Sequence, residues 1–212
     1  MKQDSVNIFD QNWEKYDQWY ECHPEVYHSE LQTLEKSLPD RGLGLEIGVG
    51  TGRFAAPFSV PLGLDPSLNM LRMAQSRNIK VVQGRGENLP FQKETFHFIS
   101  IVITICFVQD PLKLLEQAHE TLQQSGELIV AMINKESSWG KFYRQKASRS
   151  QFYHAAHFYS VSQILEMFPK AHLEFKTAWQ TLCHSPPHIH EVEPPQKGYT
   201  KGGFVVLKAV KK

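Results

Sequence analysis

Leu43-Gly44-Leu45-Glu46-Ile47-Gly48-Val49-Gly50-Thr51-Gly52 runs an apolar strand directly into three glycines spaced two apart. A backbone that turns sharply out of a strand and lets a ligand approach to contact distance needs residues without a Cβ at the points of approach. Gly48, Gly50 and Gly52 meet that need and mark a nucleotide-type cofactor site. The dinucleotide fingerprint, Gly-x-Gly-x-x-Gly, would place its third small residue at position 53, where it packs helix against strand, and this chain has Arg53 there. The spacing is therefore Gly-x-Gly-x-Gly, with an acid two residues ahead of the first glycine.

Downstream of the glycines, Arg53 to Phe58 has room only for a short helix before Pro57 and Pro61 interrupt it, and Leu62-Gly63-Leu64 is a brief strand that ends in Asp65. An acid at the tip of a second parallel strand faces the crevice at the carboxyl ends of the sheet, where it can accept hydrogen bonds from ribose hydroxyls. Ser67 is a good N-cap for a helix over 68–77, and 79–83 reads as a third strand. The β-branched and aromatic run 96–103 has the pattern of a strand buried on both faces. Asp110 as N-cap and Pro111 at the first helical position open a helix to Gln123, and Ser125-Gly126 closes it before a strand over 127–133.

Upstream, the apolar residues of 7–38 recur at spacings of three and four that suit two amphipathic helices separated near Pro24, a cover over the sheet. Residues 134–160 are irregular, aromatic and basic, and read as an insertion over the pocket. Ser160 caps a helix over 161–168, and two late strands, about 172–182 and 203–210, suit an antiparallel pair. This alternation of strand and helix predicts one α/β domain, 1–212, around a doubly wound sheet.

The 212 residues are enough for one domain with a sizeable core, and the formal charge of +1 supplies no basic field for a nucleic-acid backbone. The partner expected is a small molecule, with neither nucleic acid nor membrane, and the chain is expected to be a monomer or homodimer. Lys208, Lys211 and Lys212 read as a solvated tail. The polar first residues show no secretory signal, the longest apolar run, 98–108, is too short to span a bilayer, and the cysteines, 3 in number, lack metal-ligand spacing. These features predict a cytoplasmic protein with free thiols.

The strand-to-glycine segment 45–52, Leu64-Asp65-Pro66-Ser67 and Gly86-Glu87-Asn88-Leu89-Pro90-Phe91 together resemble the motifs of class I S-adenosylmethionine (SAM)-dependent methyltransferases, type 11 branch, which includes ubiquinone and menaquinone C-methyltransferases. The resemblance is strong over 43–133 and loose elsewhere. It implies a Rossmann-like sheet of seven strands in the order 3-2-1-4-5-7-6, mostly parallel, with SAM as cofactor and S-adenosylhomocysteine as product. It also implies a cofactor site of Glu46, Gly48, Val49, Gly50, Thr51, Gly52, Asp65, Pro66, Ser67, Met70, Arg85, Gly86, Glu87 and Ile103, with Asp65 on the ribose. Arg85 stands where the family often has an aspartate, so adenine recognition would pass to backbone groups or Glu87. His97 replaces a common acid at the start of strand four, and Thr104 to Asp110 lacks the family's histidine pair.

For the acceptor, Tyr16, Tyr20, Thr104, Phe107, Trp139 and Tyr143 are the candidates, since aromatic faces hold a flat or cationic molecule and tyrosine hydroxyls orient a polar end. The same aromatics would also serve simply to pack the cover on the sheet. No catalytic base is identified, and Cys106, with no histidine or lysine beside it, reads as a small apolar filler. Two other readings stay open. One is a SAM-binding regulator without turnover. The other is a metal site in Cys183-His184-Ser185-Pro186-Pro187-His188-Ile189-His190 with Glu191 and Glu193, a segment whose spacing fits no standard finger.

Overall fold

The computed structural model describes residues 3–147, 150, 152–186 and 190–212, with backbone alone for residues 3 and 4. Three helices, α1 (Gln3–Gln11), α2 (Trp13–Cys22) and α3 (Pro24–Glu35), come before β1 (Gly44–Ile47). Then follow β2 (Leu62–Asp65), α4 (Leu68–Ser76), β3 (Lys80–Gln83), β4 (Phe96–Val102), α5 (Pro111–Thr121) and β5 (Leu122–Ile133). The C-terminal part holds α6 (Ser138–Lys146), α7 (Val161–Met167), β6 (Leu173–Thr181), β7 (Gln196–Lys197) and β8 (Phe204–Lys211).

The strands form one sheet in the order β3-β2-β1-β4-β5-β8-β6-β7. The first five are parallel, with α4 crossing from β2 to β3 and α5 from β4 to β5. β8 enters antiparallel between β5 and β6, pairing Val130 with Leu207 and Leu207 with Ala178. The expected order of the long strands holds, and the sheet has an eighth strand where seven were expected. That strand, Gln196–Lys197, pairs with Trp179 and Gln180 and is too short to leave a periodic signal.

Alternation along the central strands divides the core between two faces. Leu45, Ile47, Ile99, Ile101, Leu128 and Val130 pack with Leu114, Leu115 and Ala118 of α5 and Ile164 of α7. Phe98, Ile129, Ala131 and Val206 pack with Val26 and Leu34 of α3, Ala74 of α4 and Trp139 of α6. The caps expected from sequence are made. Ser67 accepts from Met70 N at 3.2 Å, Asp110 from Lys113 N at 3.0 Å, and Ser160 forms a capping box with Gln163.

Several expectations need correction. The cover has three helices, because Asn12 leaves the helical region (φ −126°) and its side chain donates to Ile8 O at 2.8 Å. The fifth helix stops at Thr121 rather than Gln123. Leu122 already pairs with Phe96, and Ser125 (φ +62°) is an irregularity inside β5 rather than a helix stop. Residues 53–58 form turns and a 3-10 turn at Ala56–Phe58 in place of a short helix, while 134–160 contains α6 and a 3-10 turn at Tyr153–Ala155. Lys208 and Lys211 belong to β8 instead of a solvated tail. Lys208 pairs with Glu127 at 2.8 Å, and the buried Lys211 donates to Leu122 O at 2.7 Å with Glu94 at 3.6 Å. His97 has a structural task, its ring accepting from Leu43 N at 3.0 Å and covering Gly42. No described helix is long and apolar enough to cross a membrane.

Candidate cofactor and acceptor site

β1 ends at the glycine loop, and Gly48, Gly50 and Gly52 all have positive φ, at +73°, +53° and +84°. The loop is pinned on three sides. Leu64 O accepts from Gly48 N at 2.7 Å and Val49 N at 3.1 Å, tying the loop to β2. Asp65 accepts from Gly50 N at 3.0 Å through one oxygen and from Ser67 N at 2.9 Å through the other, so one carboxylate sets both the loop and the start of α4. Thr104 lies against Gly48, where a Cβ would come within 2.3 Å of its side chain, and its hydroxyl is 3.2 Å from Gly48 O and 3.0 Å from Val102 O. Each oxygen of Asp65 has a further lone pair for a ligand hydroxyl. Burial pushes its carboxyl up to about 6, with the Ser67 and Gly50 N–H groups acting in the opposite direction.

Arg53 has a definite role. Its guanidinium grips Asp17 of α2 through Nε at 2.9 Å and Nη2 at 2.6 Å, reaches Glu21 at 2.6 Å, and lies over the rings of Tyr20 and Tyr27. Arg77 adds a contact to Asp17 at 2.9 Å and donates to Thr51 O. Burial raises the Asp17 carboxyl, but the Arg53 and Arg77 hydrogen bonds outweigh it and hold the group well below the usual carboxylate range. Farther up the cover, Asp10 accepts from the Ser67 hydroxyl at 2.7 Å and Asn69 N at 3.1 Å, joining α1 to α4. These acidic residues were not legible as a latch, since their partners are remote in sequence.

Between loop and cover lies a cleft whose empty space, counted with its open mouth, is about 920 Å³. Of the cofactor candidates, Gly48, Gly50, Asp65, Met70 and Ile103 line it, and of the acceptor candidates Tyr16, Tyr20, Thr104, Phe107 and Tyr143 do. Ile103 has φ +50°, a strained conformation for a β-branched residue, where β4 meets the cleft. Pro66 and Arg85 line a neighbouring open depression with Asp10 and Gln83. Glu46, Val49, Thr51, Gly52 and Ser67 are buried or nearly so behind the loop, outside the cleft lining. Glu46 is pushed up to about 8 by burial. Gly86 packs on Leu114 and Ile47, and Glu87 accepts from Gln109 N at 2.9 Å, bracing the segment after β4.

Trp139 is not part of the cleft lining. Its indole N–H donates to His184 O at 2.8 Å and its ring presses on Gly203, so it braces the C-terminal strands. Cys106 is buried, with its thiol pushed up to about 12 by burial, and fits the filler reading. In the histidine-rich segment, Glu193 accepts from Cys183 N at 2.8 Å and His184 N at 3.3 Å, a loop-anchoring role. Pro187, His188 and Ile189 lie outside the described residues. Among the described residues no group of 3 or more His, Cys, Asp or Glu could hold a metal.

The cleft also has a carboxylate that the apolar pattern did not reveal. The buried face of α3 is Val26, Ser29, Glu30, Thr33 and Leu34, so three polar residues stand between two of the apolar positions of the cover. Glu30 is 2% exposed, lines the cleft, and is pushed up to about 8 by burial. The signal was the interruption of a helix face by Ser29, Glu30 and Thr33.

A nucleotide-type loop at the carboxyl end of a doubly wound sheet, an acid after β2 and a helical cover define a SAM-dependent methyltransferase of the Rossmann-like class. Residues 45–130 match a family model described as a methyltransferase domain, type 11. Over 98% of the chain, it superposes on a SAM-dependent methyltransferase of Thermotoga maritima, described as a possible histamine N-methyltransferase. The identity is 40%, the TM-score 0.94, and the match covers 100% of that chain. An uncharacterised protein of Methanocaldococcus jannaschii is 39% identical over 97% of this chain and 100% of its own length. A ubiquinone/menaquinone biosynthesis C-methyltransferase of Marinomonas sp. is 29% identical over 44% of this chain and 43% of its own. The chain belongs to the class I SAM-dependent methyltransferases, type 11, and its cofactor is SAM.

Proposed function

We propose that the chain transfers the SAM methyl group to a small-molecule acceptor by in-line displacement inside the covered cleft. The observation that carries this reading is that one cleft is lined both by Gly48 and Gly50 of the glycine loop with Asp65 and Met70 after it, and by the cover aromatics Tyr16, Tyr20, Tyr143 and Tyr153. The cofactor fits the chain on a local test. A Cβ on Gly50 would meet nothing nearer than the Tyr16 ring at 3.5 Å, an ordinary contact, so the loop faces the cleft without overlap on that side, with the Asp65 lone pairs beside it.

In this reading Gly48 and Gly50 receive the methionine and ribose parts, Asp65 takes the ribose hydroxyls, and Met70 and Ile103 are apolar neighbours of the ring. Glu46, Val49, Thr51, Gly52 and Ser67 hold the loop from behind, and Pro66, Arg85, Gly86 and Glu87 form the adenine side. When bound, SAM supplies a methyl on a positively charged sulfur, a leaving group that needs no protonation. The protein's task is alignment and exclusion of water. Tyr16, Tyr20, Phe107, Phe152 and Tyr153 wall the acceptor in, and holding it in line can lower a bimolecular barrier by about 7–11 kcal/mol. The formal charge of +1 and the helical cover favour a small acceptor over nucleic acid.

Calorimetric titration with SAM and S-adenosylhomocysteine, for wild type and Asp65→Ala, tests the site. Binding of both that weakens at least tenfold in the variant supports it. Unchanged affinity would remove Asp65 from the ribose role. A screen of small acceptors against protein and RNA, read as S-adenosylhomocysteine formation, tests the acceptor class.

A further inference from the structure

Among the described residues Glu30 has no counterpart charge. Its Oε2 is wholly enclosed with no hydrogen-bond partner among the described residues, although the side chain lines the cleft. An isolated buried carboxylate is costly unless something pairs with it. Glycine-loop, cover and sheet residues make up the rest of the lining, and among the described residues the only cation there is Lys15, an exposed residue of α2. Aromatic side chains share this lining with Glu30. Tyr16 and Tyr20 on α2, Tyr143 on α6 and Tyr153 after it all feel the Glu30 charge. Their rings interlock, Tyr16 with Tyr20 at 5.4 Å and Tyr143 with Tyr153 at 4.5 Å between centroids. A carboxylate beside aromatic faces, with no paired cation among the described residues, is the chemistry that recognises a small organic cation.

We propose that the methyl acceptor is a small protonatable amine, and that Glu30 binds its ammonium group and takes the proton that must leave before the nitrogen can act as a nucleophile. This deepens the methyl-transfer reading and rests on it. The N–H bond of the ammonium breaks, its electron pair stays on nitrogen, and the proton goes to a Glu30 carboxylate oxygen. The neutral amine then has the lone pair that forms the new N–C bond as the methyl–sulfur bond breaks, with that bond's pair remaining on sulfur. The positive charge moves from sulfur to the methylated nitrogen, beside the same aromatic walls.

The burial that makes Glu30 hold its proton gives a readout separate from turnover. At pH 7, ammonium binding to a protonated carboxyl must release close to one proton to solvent. The titratable groups facing the same space are the hydroxyls of Tyr16, Tyr20, Tyr143 and Tyr153, the carboxyl of Asp65, and Lys15 at the mouth, with Glu46 behind the loop. The tyrosines are raised above their ordinary range, so they remain protonated at pH 7, and Asp65 is assigned by its own variant.

The test uses the whole chain saturated with S-adenosylhomocysteine. It is titrated with phenethylamine and histamine and with the alcohol isostere of each, in two buffers of different ionisation enthalpy. We expect at least one amine to bind tenfold or more above its alcohol, with release of about one proton. Glu30→Gln should abolish both the preference and the proton release while S-adenosylhomocysteine affinity stays within twofold. Equal binding of amine and alcohol, absence of binding by either amine, or a Glu30→Gln protein that keeps the preference and the proton release would overturn the proposal. Loss of S-adenosylhomocysteine binding by wild type would instead overturn the methyl-transfer reading beneath it.

Discussion

Gly50 and Gly52 lie two residues apart in one loop and do different work. A Cβ at Gly52 would stand 2.6 Å from Ile79 Cδ1 and 3.2 Å from the Ala74 backbone, whereas one at Gly50 meets only ordinary contacts. Gly52→Ala is therefore expected to cost stability, about 1–3 kcal/mol in denaturant unfolding, from strain and overlap together. Gly50→Ala is expected to cost about 1 kcal/mol for its left-handed backbone, while SAM affinity falls tenfold or more because the methyl occupies the ligand's approach. Equal loss of affinity per unit of lost stability in the two variants would refute this division of labour. For Glu30 the sign follows from its raised value of about 8. The stability it contributes is fully present below the ordinary glutamate range and is lost as pH rises through about 8. Glu30→Gln should then stabilise the free protein above pH ~5, by about 1–3 kcal/mol at pH 7, and flatten its stability-versus-pH curve there.

At the scale of elements, polar side chains join the cover to the body of the fold beside its apolar packing. α1 is joined to α4 through Asp10, and α2 to the glycine loop through Asp17. Asp17→Asn is expected to lower stability by about 1–2 kcal/mol, the range for a partly exposed ion pair that loses one partner. It should also speed proteolytic nicking within 3–35, read by mass spectrometry. Since Asp17 is held below its ordinary range, its contribution is present above the unfolded-state value and disappears as pH falls through the folded one, so the variant and wild type should converge in strong acid. The helices of this cover were legible as amphipathic segments, but the break at Asn12 and the inward face of α3 were not. Spacings of three and four show that a helix has an apolar side, while β6 and β8, remote in sequence, decide which side is buried. Glu30 was missed for that reason, and Trp139 was taken for a pocket residue because an aromatic in an insertion gives no sign of whether Gly203 or a ligand will receive it.

Across the whole molecule, the glycine loop and the Asp65 tip were readable because each rests on local chain geometry, whereas the order of the long strands followed from the resemblance of the motifs to the family. The two-residue β7 and the inclusion of Lys208 and Lys211 in β8 depend on pairing across the sheet and have no local signature. The arrangement makes α1–α3 the side of the cleft farthest from the central parallel strands. Backbone hydrogen exchange should show this division, slow in β1, β4 and β5 with or without ligand, and slowed in 3–35 only when S-adenosylhomocysteine is bound. Uniform protection of both regions would argue that the cover does not open.

The Arg53 grip on α2 has an inner and an outer half. Asp17 is 14% exposed and Glu21 is 67% exposed. Dissolved ions reach the outer half first, since screening shortens from about 10 Å at 0.1 M salt to about 3 Å at 1 M but acts weakly on sheltered pairs. The ionic medium thus acts as a graded control on how long the cover stays shut. Product dwell time should shorten smoothly with added salt and should approach the low-salt value of a Glu21→Gln protein before the inner grip on Asp17 yields.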